Sequence, residues 1–160
     1  MCKTLRVLKL YLKRFADTKP PTSGCCFPSL KFLHVTVFNP VTTMQKLFSR
    51  CPVLEDLTID GTIDVDFIGI DDNFKISAPE LKMLRISLEI NQDPIDVYIN
   101  SPNLENIDLK RFGLTNFFLM GSEKSLVNAS VAFRGRSEFE AEEQQVLSNV
   151  LCNGASGSSF

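Results

Sequence analysis

The segment Cys51-Pro52-Val53-Leu54-Glu55-Asp56-Leu57-Thr58-Ile59 carries the spacing that decides the fold. Its apolar residues Leu57 and Ile59 alternate with polar residues, as they do in a strand that buries one face, and Leu54 precedes that strand. The same pattern returns in four other segments and, more weakly, in a fifth. These segments begin at Cys2, Phe27, Ala78, Ser101 and, for the weak copy, Glu123.

The spacing of these copies indicates a repeat architecture. The first leucine of each copy falls at positions 5, 30, 54, 81, 104 and 126, so the steps are 25, 24, 27, 23 and 22 residues. Steps of this length are typical of leucine-rich repeats. A single unit cannot cover its apolar face, whereas stacked units cover one another. We therefore predict an α/β leucine-rich-repeat solenoid of about six repeats with a parallel concave sheet.

The segments between the copies predict a convex side of mixed character. Met44, Leu47, Phe48 and Cys51 share one face at helical spacing, which predicts a short helix before the third copy. Apolar and polar residues alternate instead near residues 63–67, 74–76 and 95–99, which predicts short strands there. The convex side should therefore combine short helices with short strands.

The end of the chain differs from the repeats in composition. Ser137-Glu138-Phe139-Glu140 matches a capping box and precedes an amphipathic stretch up to Leu151, which we expect to cover the last repeat. Residues 152–160 have the Gly/Ser-rich composition of a linker. The sequence thus predicts a leucine-rich-repeat domain at residues 1–151 and a flexible tail at 152–160.

The sequence motifs of the repeats resemble those of a known family. Cys51-Pro52-Val53-Leu54-Glu55, Ala78-Pro79-Glu80-Leu81-Lys82 and Ser101-Pro102-Asn103-Leu104-Glu105 are similar to the leucine-rich region of the plant F-box/LRR and F-box/FBD/LRR proteins, and the similarity covers roughly residues 1–150. The resemblance implies that the repeats select a protein substrate, while an N-terminal F-box would bind the Skp-type adaptor of a cullin ubiquitin ligase. The sequence begins inside the first repeat, so we expect the F-box to be lacking. No clear FBD segment follows residue 131, and only the recognition function is expected to apply.

The residues that alternate with the regularly spaced leucines should point out of the concave sheet and form the binding surface. Of these, Tyr11, Phe32, Met83 and Arg85 belong to residue types that are enriched at interface centres. The alternative is that they are ordinary exposed strand residues. The predicted protein-binding surface consists of Lys9, Tyr11, Phe32, His34, Asp56, Thr58, Asp60, Met83, Arg85, Asn106 and Asp108, with Val7, Thr36, Ser87 and Lys110 in the same alternation.

Patterns that carry enzyme chemistry are missing from the sequence. The single histidine, His34, lies at a strand position, and the five cysteines include no C-x-x-C pair. The acidic residues at positions 60–72 lack the spacing of an EF-hand. Neither a P-loop nor a G-x-G-x-x-G segment occurs. We therefore expect no enzyme activity, no catalytic residue, no cofactor and no metal site.

Charge is distributed unevenly along the chain. Residues 1–50 carry a net charge of +8, residues 51–110 carry −9 and the remainder −1, for a total of −2. Such a gradient can orient a charged partner. The alternative is that the charged residues form solvated faces and bind no partner. The total lacks the basic excess of a nucleic-acid-binding protein. A nucleic-acid or phosphoinositide contact through Lys3, Arg6, Lys9, Lys13 and Arg14 remains a minor alternative.

The expected location and assembly are inferred from features that the sequence lacks. No apolar run approaches the length of a membrane span, and no signal peptide is visible. An odd number of cysteines suits a reducing compartment, so we expect an intracellular protein, cytoplasmic or nuclear. The first repeat lacks a polar cap, which predicts that the isolated chain self-associates through it or is marginally stable. A truncated or decoy protein that binds the same partner without a ligase role is the main functional alternative.

Overall fold

A computed structural model describes residues 3–12, 27–38, 47–63, 74–90, 95–112, 115–122 and 124–134. Within these residues the chain forms nine strands that are arranged in two parallel sheets. Sheet A contains β1 (Val7–Leu12), β2 (Phe32–Phe38), β3 (Asp56–Ile63), β5 (Met83–Ile90), β7 (Asn106–Phe112) and β9 (Asn128–Arg134), in that order. Sheet B contains β4 (Phe74–Ser77), β6 (Ile95–Asn100) and β8 (Thr115–Met120).

Each strand of sheet A is preceded by a tight turn that the repeat motif encodes. The Leu54 amide donates to the Cys51 carbonyl at 3.2 Å, and the corresponding bonds occur at Leu81 and Leu104. Proline suits the second position of such a turn because its φ is already set. The next two amides, of Glu55 and Asp56, then both donate to the Lys31 carbonyl of the preceding repeat at 2.9 Å. This pair of bonds recurs at later repeats and sets the parallel register from one strand to the next.

The core lies where the alternating apolar residues of both sheets meet. Leu57, Ile59, Leu84 and Ile86 of sheet A belong to the same buried cluster as Ile76 and other side chains of sheet B. The rings of Phe48 and Phe74 pack in a tilted arrangement with centroids 6.4 Å apart. Burial of this shared face is the main source of stability, since parallel strands must be covered before they are stable.

Two features of the core follow from close packing. Cys51, Ala78 and Ser101 occupy the same position of successive repeats and are fully buried. Gly61 adopts a φ of +136°, and a Cβ at this position would lie 2.0 Å from the carbonyl oxygen of Val37 on the neighbouring strand. Glycine is therefore required at this point of β3.

The parallel-sheet solenoid predicted from the repeats is confirmed. The number of repeats and the mixed helical and extended convex side are not confirmed, because the described residues contain almost no helix. Of the predicted helix, residues 47–51 are described: 47–48 are helical and 49–50 form a turn. The alternating segments near 74–76 and 95–99 lie in β4 and β6. Strand β8 was not predicted, since its Phe117-Phe118-Leu119-Met120 sequence does not alternate.

Several sequence predictions fall on residues that are not described. These are most of the predicted strand near 63–67, the amphipathic stretch that was expected to cover the last repeat, and the flexible tail at 152–160. The domain boundary at residue 151 lies there as well. In the described part of the chain, no helix has the length and apolar character that crossing a membrane requires.

Candidate interaction surface

Sheet A has a second face, formed by the residues that alternate with its buried side chains, and we call it the open face. Register places these residues in rows that run across the strands, one residue from each strand. The central row consists of Lys9, His34, Thr58, Arg85, Asp108 and Ser130, each directly opposite the next. The sequence alone predicted that these residues, Ser130 excepted, share a face, and the register shows which of them are neighbours.

All residues of the predicted binding surface lie on this open face. Lys9, Tyr11 and Phe32 are exposed. The others are half-buried: His34, Asp56, Thr58, Asp60, Met83, Arg85, Asn106 and Asp108. The face extends further than predicted, because β9 adds Asn128, Ser130 and Ala132. These three were missed because the sixth copy of the motif is weak, although the step of 22 residues could have located them.

The β1–β2 side of the open face exposes large apolar side chains. Tyr11 is 73% exposed, Val7 55% and Phe32 45%, and Phe38 at the end of β2 is also exposed. Lys9 is exposed between Val7 and Tyr11. We call these five residues the apolar half. Clustered exposed apolar residues on one face of a soluble domain are typical of an interaction site.

The side formed by β3, β5 and β7 is dominated by charge, and we call Asp56, Asp60, Arg85, Asp108 and Lys110 the charged half. Arg85 Nη1 donates to both carboxylate oxygens of Asp56, at 3.0 and 3.1 Å. Asp60 Oδ2 lies 2.6 Å from Nε2 of His34 on β2. Both contacts are diagonal across the sheet, one on each side of Thr58. The central charges are thereby paired within the face itself.

Asp108 is the exception among these charges. Its Oδ1 is buried and has no hydrogen-bond partner among the described residues. Its Oδ2 lies 3.8 Å from Lys110 Nζ, which is beyond hydrogen-bonding distance. Arg85 lies directly opposite on β5, but its guanidinium is engaged with Asp56 on the other side. The Asp108 carboxylate is therefore compensated by an ion pair with Lys110 but accepts no hydrogen bond from the described residues, and 31% of its side chain remains exposed.

A further ion pair lies where the strands of sheet A begin. Lys31 Nζ donates to Glu55 Oε1 at 2.6 Å. This hydrogen bond lowers the pKa of Glu55 below its ordinary value of 4.5, with a smaller opposing contribution from desolvation and further lowering by the charges of Lys31 and Lys82. Both side chains are partly exposed, so the pair contributes little to stability.

Metal binding has no geometric support in the described part of the chain. No three His, Cys, Asp or Glu side chains come together there in a group that could hold an ion. The acidic residues between positions 64 and 72 lie outside the described ranges. His34, the single histidine, lies at a strand position as predicted, and its Nε2 is 2.6 Å from Asp60 Oδ2.

Sheet B presents a different outward surface. The rings of Tyr98 and Phe118 stack with centroids 4.9 Å apart and an interplanar angle of 14°. Asn116 Nδ2 donates to Asp96 Oδ1 at 3.0 Å, and Met120 is 45% exposed. Lys75 is exposed opposite Tyr98. Because the exposed Lys75 and Met120 lie on the other sheet, they provide controls for substitutions on the open face.

Comparison with known proteins identifies the repeats. Residues 1–113 match the family model of the LRR repeats of FBD-associated F-box protein At5g56370. That protein, from Arabidopsis thaliana, is 33% identical over 134 residues, which cover 81% of this chain and 29% of the relative. The Arabidopsis F-box/FBD/LRR-repeat protein At5g22660 is 28% identical, over 77% of this chain and 29% of the relative. The Arabidopsis F-box/LRR-repeat protein At4g14103 is 36% identical, over 65% and 27%.

The match is confined to one part of these longer proteins. The chain spans less than one third of the length of each of these relatives. No solved structure matches. The family model covers more than half of the chain and includes five of the six strands of sheet A, β1, β2, β3, β5 and β7. The chain therefore belongs to the FBD-associated F-box protein family and carries leucine-rich repeats of that family.

Proposed function

We propose that the chain is a protein-binding module and that its partner binds on the open face of sheet A. The observation that carries the proposal is the exposure of Val7 opposite Phe32, and of Tyr11 further along β1, on a face whose central charges are already paired. Register fixes these side chains relative to one another without further ordering cost, which favours binding. A stable hydrophobic centre surrounded by polar residues is the usual anatomy of such interfaces.

The proposed biological role is substrate recognition for a ubiquitin ligase. Membership of a family of F-box proteins supports this role, since the repeats would select the protein that the ligase modifies. The Skp-type adaptor and the cullin are proposed partners by family resemblance. We propose a non-catalytic module located inside the cell, in the cytoplasm or nucleus.

The finer architecture is part of the same proposal. We assign one repeat to each of the six strands of sheet A, and a convex side that combines a short helix before the third repeat with short strands in later ones. The parallel order of sheet A and the helical residues 47–48 support this assignment. Six repeats of this kind would give the open face a continuous surface about 24 Å wide, at about 4.8 Å between strands.

The binding role is tested by capture from a plant extract with three versions of the immobilised chain. These are the wild type, a Tyr11→Asp/Phe32→Asp double variant on the open face, and a Met120→Asp variant on sheet B. We expect a set of proteins that the wild type and the Met120→Asp variant retain and the double variant loses. Retention that is equal for all three versions would refute binding on the open face.

The ligase role is read from the same captures by mass spectrometry. Recovery of the Skp-type adaptor and cullin together with an open-face partner supports the role in a ubiquitin ligase. Recovery of an open-face partner without adaptor and cullin would contradict that role, although it would leave the protein-binding function intact. Circular dichroism of each variant is required first, because loss of capture through unfolding would affect both readouts.

A further inference from the structure

The backbone pattern that joins the repeats is open at both outer strands of sheet A, β1 and β9. It begins where the amides of Lys31 and Phe32 both donate to the Arg6 carbonyl, at 2.9 and 3.0 Å. It ends where the Val127 amide donates to the repeat of β7, at 2.8 Å. The corresponding amides of Arg6 and Val7 have no acceptor among the described residues, and the Val127 carbonyl has no donor there. One end of the sheet therefore offers the two donors that the carbonyl at the other end would accept.

A side-chain hydrogen bond between repeats shows the same complementarity. Ser29 Oγ donates to the Lys3 carbonyl at 2.6 Å. Asn103 Nδ2, in the same position of a later repeat, donates to the repeat before it at 3.0 Å. Thr4 holds this position in the first repeat, and its exposed side chain has no partner among the described residues. The matching acceptor at the other end of the sheet is the carbonyl of Lys124.

Both ends of the sheet also leave their core residues incompletely covered. Leu8 and Leu10 on β1 are only half-buried, whereas Leu33, opposite Leu8 on β2, is 2% exposed. On β9, Val131 is half-buried and Ala129 is exposed. In the common register of the strands, a β1 placed beside β9 sets Leu8 against Ala129 and Leu10 against Val131. Such a contact would remove apolar surface from water at both ends.

Charge does not hold these two ends together. Among the side chains that the structure describes, the charged ones of the first repeat are Lys3, Arg6 and Lys9. In the last repeat the charged one is Lys124, and the nearest carboxylates belong to the repeat of β7. All four of these residues are basic and exposed. An association of the two ends therefore depends on backbone hydrogen bonds and apolar contact, and a carboxylate introduced beside Arg6 should strengthen it.

We propose that copies of this chain associate head to tail, with β1 of one copy added in parallel to the outer edge of β9 of the next. The Arg6 and Val7 amides donate to the Val127 carbonyl of the neighbouring copy, as their counterparts do within the chain. The two surfaces differ, so a dimer still has one free edge of each kind, and longer assemblies form as the concentration rises. This association is independent of the proposed function, and it joins the open faces of successive copies into one surface.

The test blocks each edge separately with proline, which removes an amide donor. Val7 is the first residue of β1, and its amide points away from β2, so Val7→Pro removes a donor that the chain itself does not use. The Asn128 amide donates to the repeat of β7, and amides alternate in direction along a strand, so Ala129→Pro removes an outward donor of β9. Sedimentation velocity should show concentration-dependent oligomers for the wild type and association about tenfold weaker for each variant. Lys75→Glu on sheet B is the control and should match the wild type.

Mixing the two proline variants distinguishes head-to-tail association from other kinds. Val7→Pro keeps a free β9 edge and Ala129→Pro keeps a free β1 edge, so an equimolar mixture should form heterodimers with wild-type affinity and nothing larger. Such recovery cannot come from unfolded protein. A wild type that stays monomeric at its highest soluble concentration would overturn the proposal. A mixture without heterodimers, or self-association of either variant as strong as that of the wild type, would do the same.

Substitutions at Val127 test which residues meet in the contact. Lys31 and Glu55 occupy the same position of adjacent repeats and pair at 2.6 Å, and Arg6 and Val127 hold that position at the two ends. Val127 is 74% exposed, so its replacement leaves the core intact. Val127→Glu should strengthen association about threefold and Val127→Lys should weaken it by about the same factor, as expected for one exposed ion pair.

Reversal of the second charge completes this test. Adding Arg6→Glu to Val127→Lys should restore the association that Val127→Lys loses, because the pair is rebuilt with its signs exchanged. Arg6→Glu alone should not strengthen association, since Val127 offers it no cation. Equal association of the wild type and all these variants would overturn the pairing of β1 with β9.

Discussion

The two faces of sheet A are built from the same strands but differ in what their residues do. On β5, Leu84 is fully buried in the core shared with sheet B, whereas the next residue, Arg85, is 43% exposed and pairs with Asp56. Alternation along a strand places consecutive residues on opposite faces, so stability and recognition are interleaved in the sequence. The buried face accepts little variation because it is close-packed, while the open face can change its side chains without loss of the fold.

The largest expected effect on stability comes from a substitution on the buried face, at one of these two neighbouring residues. Leu84→Ala should lower the free energy of unfolding by about 2 to 5 kcal/mol, because it removes buried methyl groups and leaves a cavity. Arg85→Ala, one residue away, should cost less than about 1 kcal/mol, because its ion pair is partly exposed. Urea denaturation measures both, and similar losses would contradict the division between the faces.

The next effect concerns the backbone that both faces share. Gly61→Ala should destabilise the chain by about 1 to 3 kcal/mol, because φ near +136° is unfavourable for alanine. The new methyl group also meets the Val37 carbonyl, so β2 and β3 must shift locally. Thr62→Ala, at the next residue, is the control and should change stability much less. Urea midpoints that do not separate the two variants would refute this role of Gly61.

A smaller effect of opposite sign on stability is expected from the removal of a polar group on the buried side. The Ser101 hydroxyl is buried and has no hydrogen-bond partner in the described part of the chain. Ser101→Ala should therefore stabilise the chain by about 1 kcal/mol. Ser125→Ala is the matched control, because the Ser125 hydroxyl donates to the Leu104 carbonyl at 2.8 Å and its loss should destabilise. Thermal unfolding of both variants decides the point, and a loss on Ser101→Ala would contradict it.

The smallest effect is a pH dependence at the start of the open face. The pKa of Glu55 is lowered by its hydrogen bond with Lys31, so this contact stabilises the fold above the ordinary glutamate pKa of 4.5. The contribution is lost as the pH falls through the lowered value. Wild type should therefore be slightly more stable than Glu55→Gln at pH 7, and the two should converge in acid. Urea midpoints that stay apart well below pH 4 would contradict this explanation, and Lys31→Met should abolish the difference at both pH values.

The sequence was sufficient wherever spacing and alternation carry the information. The spacing of Leu54, Leu57 and Ile59, which recurs in the other copies, predicted the parallel sheet and its buried face. The same alternation placed Tyr11 and Phe32 on the open face. The sequence could not predict which side chains of different repeats pair with one another. His34 and Asp60 are 26 residues apart, and their contact depends on a register that the turn and amide bonds of each repeat establish.

The repeat sequence by itself determined the parallel solenoid and the side of each strand that is buried, because these follow from local periodicity and from the inability of one repeat to cover itself. Only the tertiary structure decided which charges neutralise one another and which glycine a neighbouring carbonyl requires. These features depend on distances between strands that are far apart in the chain. Such distances are established when the repeats stack, because stacking fixes the register between strands.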